Sequence, residues 1–137
     1  MKAPQRKFQR KSESGQTMVE FALVLPTLAI LLFGVIQFGI AFNNYITVTD
    51  AVRAGARQGA VARYLPPGER VASVEQAVLD ASDNLDTSQL GISVSVSPDW
   101  EPGADVVVTA TYPYNINLLG QVIASGNLES STTERVE

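Results

Sequence analysis

The sequence predicts an α+β protein: a long amino-terminal transmembrane helix continuing into a small head with a short helix and a 2–3-stranded antiparallel sheet. Three observations lead there. Residues 21–42 are apolar at 17 of 22 positions and carry no charge. Residues 1–15 hold Lys2, Arg6, Lys7, Arg10 and Lys11 against Glu13. Residues 43–137 are acidic, with 12 carboxylates against 5 arginines, and contain alternating runs suited to strands. A basic head, an uncharged bar and an acidic remainder describe a single-pass membrane protein.

The 137 residues include no His and no Cys. That removes disulfides, Cys-ligated zinc, Ser-His and Cys-His catalysis, and a histidine pH switch. Nucleic acid is a poor partner, because the part large enough to fold is acidic. The chain divides into a basic leader (1–15), a membrane-crossing and extended helix (16–64) and a small head (65–137).

The bar from Phe21 to Phe42 would be roughly 33 Å long as a helix, enough to cross a hydrocarbon core of ~30 Å. Its polar atoms are few: Thr27, which can bond back to the backbone, and Gln37. Pro26 removes one donor and should bend the first turns. Gln37 could join helices through its amide; five residues from Phe42, it is better read as reaching water at the outer boundary. The basic leader should stay in the cytoplasm and place the head outside. A cleaved secretory signal fits less well, since its apolar region is normally about 7–15 residues and ends in small residues. Here the bar is longer and runs into Asn43-Asn44-Tyr45.

Just before the bar stands Ser14-Gly15-Gln16-Thr17-Met18-Val19-Glu20-Phe21. Glu20 needs explaining, because an unpaired carboxylate at the edge of hydrocarbon is costly. In the first turn of a helix the dipole favours it. An amino terminus created at Gln16 would lie one turn away and neutralise it. Otherwise Gly15 is an ordinary residue before a helix and Glu20 an ordinary first-turn acid.

A basic leader, Gly-x-x-x-x-Glu and about twenty apolar residues resemble a type IV prepilin. Within that group the chain resembles the TadE-like family, minor pilin-like components of tight-adherence (Tad or Flp-type) pilus systems. The run from Gly15 to Pro26 (GQTMVEFALVLP) is similar to that family's opening, and Asp50-Ala51-Val52-Arg53-Ala54-Gly55-Ala56-Arg57 to its small-residue and arginine stretch. The Val106–Tyr114 run and the Glu134-Arg135-Val136-Glu137 ending also fit. One departure is Phe21, where such pilins often carry tyrosine. The resemblance implies cutting between Gly15 and Gln16 by a membrane prepilin peptidase on the cytoplasmic side. It also implies a recognition and registry role for Glu20, now the fifth mature residue. The partners it implies are the membrane, that peptidase, other pilin-like subunits and the pilus assembly platform.

Beyond the membrane, Tyr45, Val48, Val52, Gly55/Ala56 and Gly59/Ala60 recur at helical spacing, until Leu65-Pro66-Pro67-Gly68 stops the helix. Ala51, Gly55 and Gly59 form a ridge without bulk, suited to close helix packing. It could pack on the chain's own sheet or on a neighbouring subunit's helix; both need the same smooth face. Arg53 and Arg57 read as solvated or paired with Asp50.

A second helix is expected over Glu69–Leu85, with Val71, Val74, Val78 and Leu85 on one side. Asp80, Asp83 and Asp86 near its end lack the spacing of a calcium loop and read as a solvated face. Ile92, Val94 and Val96 alternating with serines make one strand, and Val106, Val108, Ala110 and Tyr112 a second, paired as an antiparallel hairpin. Ser130–Val136 is expected as a third. Trp100, Tyr112 and Tyr114 are read as closing the open end of the hairpin in preference to forming a contact patch.

No catalytic, cofactor or metal residues are assigned, and an enzyme finds no support in the pattern of acids. Two functions remain: a pilin-like subunit acting by helix packing, and a membrane-tethered module that binds or adheres through its head.

Overall fold

A computed structural model describes residues 13–118 and 120–137, with side chains from Gly15 onward. The basic residues expected to hold the leader in the cytoplasm, Lys2 to Lys11, lie outside the described residues. The chain forms two compact units, Met1–Ile36 and Gln37–Glu137.

Helix α1 spans Glu13–Val61 and enters both units. In the first unit its side chains are solvent-facing: Met18 is 77% and Val35 71% exposed. The described residues of the chain's own fold leave these side chains uncovered. The stretch is long and apolar enough to cross a membrane, and its most apolar part is not buried. Pro26 lies inside the helix.

In the second unit the same helix changes character. Val48, Ala51, Val52 and Ala56 are fully buried. The helix tightens into a 3-10 turn at Ala62–Tyr64, where the Leu65 amide donates to the Ala62 carbonyl at 2.9 Å. Two prolines follow, neither able to continue the ladder. Helix α2 runs Arg70–Asp80, shorter than the expected Glu69–Leu85. Ser82 is the reason: its hydroxyl donates to the Val78 carbonyl at 2.7 Å and its amide to Leu79 at 3.0 Å, closing the last turn. Val74 and Val78 are buried as expected, but Val71 is 42% exposed. Leu85 reaches the core from the turn after the helix, not from the helix itself.

A three-stranded antiparallel sheet in the order β1-β2-β3 completes the unit, with β1 at Gly91–Ser97, β2 at Asp105–Leu118 and β3 at Gln121–Arg135. Val94 faces Val108 across β1 and β2, and Val108 faces Thr132 across β2 and β3. Gly103, at a φ of +89°, turns the chain into β2 at little steric cost. The alternation of β2 is the expected one: Val106, Val108 and Ala110 point inward and are fully buried. The third strand begins nine residues earlier than the expected Ser130, because β2 does not stop at Tyr112. Beyond Tyr112 the two strands continue alone, from Tyr112 opposite Leu128 to Leu118 opposite Gln121, with a register shift between Ile116 and Asn117.

The core sits where α1, α2 and β2 meet. Val48, Ala51, Val52 and Ala56 pack with Val74, Val78, Val106 and Val108, and the carboxyl-terminal Val136 closes one end. The Val136 amide donates to Ala104 at 2.8 Å, and the Glu137 amide to Ala60 at 3.0 Å. The latter satisfies a carbonyl left without an intrahelical partner at the end of α1.

Candidate functional site

At the amino-terminal junction the structure brings together two of the residues expected to matter. The Gln16 side-chain amide donates to a Glu20 carboxylate oxygen at 3.2 Å, one helical turn away and exposed. Glu20 therefore has a neutral donor in reach. Gly15 stands inside the first turn of α1, and a side chain there would meet open space. The Gly15–Gln16 bond thus lies in the first turn of α1, and glycine in a helix costs about 1 kcal/mol relative to alanine.

The ridge of Ala51, Gly55 and Gly59 is occupied by the chain's own head. All three are buried. A Cβ at Gly55 would collide with the Val78 side chain and lie 3.4 Å from Val108. One at Gly59 would lie 2.7 Å from a Val106 methyl. Of the two expectations, the structure realises packing on α2 and the sheet. These small residues let α1 approach β2 closely, and the surface they form is used within the chain.

Arg53 pairs with Asp50 at 3.1 Å, both exposed, and an ion pair of this kind contributes little. Arg57 lines a shallow cleft with Arg53, Thr132 and Glu134. Of the three acids near α2, Asp80 accepts from the Gln76 amide at 2.7 Å. Asp86 accepts from the Ser88 hydroxyl at 2.6 Å, the Ser88 amide at 3.1 Å and Gln89 at 2.8 Å. These bonds, led by the Ser88 hydroxyl, hold its carboxyl below the ordinary value of 3.8. Among the described residues no group of three His, Cys, Asp or Glu is poised to hold a metal.

The aromatic residues divide. Trp100 and Tyr112 pack against the core, and the Tyr112 hydroxyl accepts from the Asp86 amide at 3.3 Å. Tyr114 lies over Gly126, its cross-strand partner, about where a side chain on Gly126 would be. Farther along, Gln37, Ile40, Ala41 and Asn44 of α1 line an open cavity of about 240 Å³ with Gln89, Tyr112, Pro113, Tyr114 and Asn115. Gln37, expected near the outer boundary, faces this amide-rich cavity.

Two features were not read from sequence. Arg70 donates to the Leu65 carbonyl and to the Arg63 carbonyl, each at 3.1 Å, tying the Pro66-Pro67 turn to α2. An isolated arginine gives no pattern that foretells such bonds. The β2–β3 extension did leave a signal, since no residue from Val106 to Leu128 is charged.

Comparison with known families matches residues 15–57 to the family described as TadE-like protein. The match begins at Gly15, takes in Glu20 and the apolar bar, and ends four residues before the end of α1. No curated protein and no solved structure matches the chain. The matched part of the long helix is similar to that of TadE-like proteins.

Proposed function

We propose that this TadE-like chain is a non-enzymatic, pilin-like membrane subunit, a minor component or assembly factor of a Tad/Flp-type pilus. It is anchored by α1, with the leader in the cytoplasm and the head outside. The observation that carries this reading is the family match over residues 15–57, which frames a carboxylate just before an uncharged 22-residue bar. Its mechanism is packing of helices in the membrane or filament base.

In this reading a prepilin peptidase cuts between Gly15 and Gln16. The new ammonium joins the Gln16 amide one turn from Glu20, and the carboxylate enters an apolar assembly neutralised. Because Ala51, Gly55 and Gly59 are committed to the head's own core, contact with other subunits falls to the exposed apolar side chains between Met18 and Ile36.

The test is the intact mass and amino-terminal sequence of the chain extracted from membranes of its native host. A chain that starts at Gln16, and that no longer does so when Gly15→Leu is introduced, is the expected result. A chain that retains residues 1–15 would overturn processing and favour a membrane-tethered binding module.

A further inference from the structure

We propose that the cavity between α1 and the outer part of β2 binds a neutral, hydroxyl-bearing six-membered ring, a pyranose sugar, held by carboxamides and faced by tyrosine. All of its walls belong to the unit Gln37–Glu137. The inference rests neither on processing at Gly15 nor on a pilus.

Helix α1 supplies the floor. Gln37, Ala41 and Asn44 are half-buried, and their spacing of four and three residues puts them on one face of the helix. Gln37 and Asn44 stand two turns apart, about 10 Å along the axis, and Ala41 between them has no bulk to fill the gap. The hollow begins where the core ends, since Val48, one turn beyond Asn44, is fully buried.

The polar groups around this hollow are unspent. Among the described residues, nothing in the chain hydrogen-bonds the side chains of Gln37, Asn44 or Asn115. The Gln37 and Asn44 amides are also not sealed from outside: among the described residues, the one buried side-chain atom without a partner is Arg63 Nε. Two further groups are aimed by Asp86. Its backbone amide donates to the Tyr112 hydroxyl at 3.3 Å, and its carboxylate accepts from Gln89 Nε2 at 2.8 Å. The Tyr112 proton and the Gln89 carbonyl oxygen are thereby left for a ligand.

These walls select by chemistry. No Asp, Glu, Lys or Arg lines the cavity, so an ionic ligand would lose hydration without gaining a countercharge. A wholly apolar ligand would leave the carboxamides unpaired. A carboxamide offers donors and an acceptor together, which is what a hydroxyl both gives and takes. Tyr112, Pro113 and Tyr114 add apolar ring surface for the C–H face of a sugar. The volume of about 240 Å³ falls below the roughly 300–1,000 Å³ of pockets for drug-sized ligands. It takes a single ring, alone or as one unit of a longer saccharide.

The test uses the full chain, isotope-labelled, in phosphocholine micelles, which carry no sugar. Methyl glycosides of glucose, galactose, mannose and N-acetylglucosamine are titrated while the side-chain amide signals of Gln37, Asn44 and Asn115 are followed by NMR. The expected result is a saturable shift of these signals with at least one glycoside at millimolar concentration. Asn44→Leu and Tyr112→Phe should each weaken that binding about tenfold, whereas Asn43→Leu, on the exposed side of α1, should leave it unchanged. Backbone signals of Val52 and Val108 report that each variant keeps its core. Tighter binding of the dodecyl glycoside of the same sugar would assign the ring to a glycolipid headgroup, and equal binding to a free or polymeric saccharide. No saturable shift with any glycoside, or one that persists undiminished in both variants, would overturn the proposal. A shift produced only by N-acetylalanine methylamide would give the cavity to a peptide, and the sugar reading would fall.

Discussion

Two single residues show how local chemistry shapes this head. At Gly59 the nearest atoms to an added Cβ belong to Val106, on the strand that α1 covers. Gly59→Val should overpack this contact and cost about 1–3 kcal/mol, read as a lower midpoint in denaturant titration of the detergent-solubilised chain. Asp86 illustrates a gentler effect. Its carboxyl is held low by Ser88 and Gln89, so the ionised form is favoured by the fold. The stabilisation is complete above the unfolded value near 3.8 and is lost as pH falls through the lower folded value. Protection of the Ser88 amide, relative to its intrinsic exchange rate, should therefore fall on acidification below that range. Asp86→Asn should flatten this dependence.

Among the elements, the reversal between α1 and α2 hangs on Arg70. Its guanidinium bonds the Leu65 and Arg63 carbonyls from a half-buried position. Arg70→Ala should lower stability by about 1–2 kcal/mol and speed proteolysis at Pro66–Glu69. Arg70→Lys should restore only part, because an ammonium cannot present the same planar fork. Elements also show what could be read beforehand. Helix α1 was legible because an uncharged 22-residue bar and small-residue spacing have one periodicity, and β1 with the inner half of β2 because valines alternate with serines and threonines. At the junction, the four-residue spacing of Gln16 and Glu20 accounts for the hydrogen bond between them. The end of α2 was not, since Ser82 stops it through a bond that only a folded turn supplies. Nor was the outer half of β2–β3, where Asn115, Asn117, Gly126 and Asn127 carry weak strand preference. Its pairing comes from the neighbouring strand: Tyr114 covers Gly126, and the ladder carries on.

For the whole molecule, the membrane segment and the head place different demands on one helix. Up to Ile36 its apolar side chains are exposed, and from Val48 onward its inner face is filled by the chain's own head. Glu20→Ala should leave membrane insertion intact, because removing a charge only favours the apolar phase, while incorporation into pili, followed by filament pull-down, should fall. Normal incorporation would detach Glu20 from assembly.

The bonds from Val136 and Glu137 back to Ala104 and Ala60 carry a consequence in time. The strand that covers Gly55 and Gly59 is made roughly fifty residues after them, and the final clasp later still, a lag of several seconds at about 5–20 residues per second. With α1 read as a membrane anchor, the bar is available for insertion while that face of α1 is still bare. A nascent chain stalled before Val106 would then present a naked small-residue helix to its surroundings.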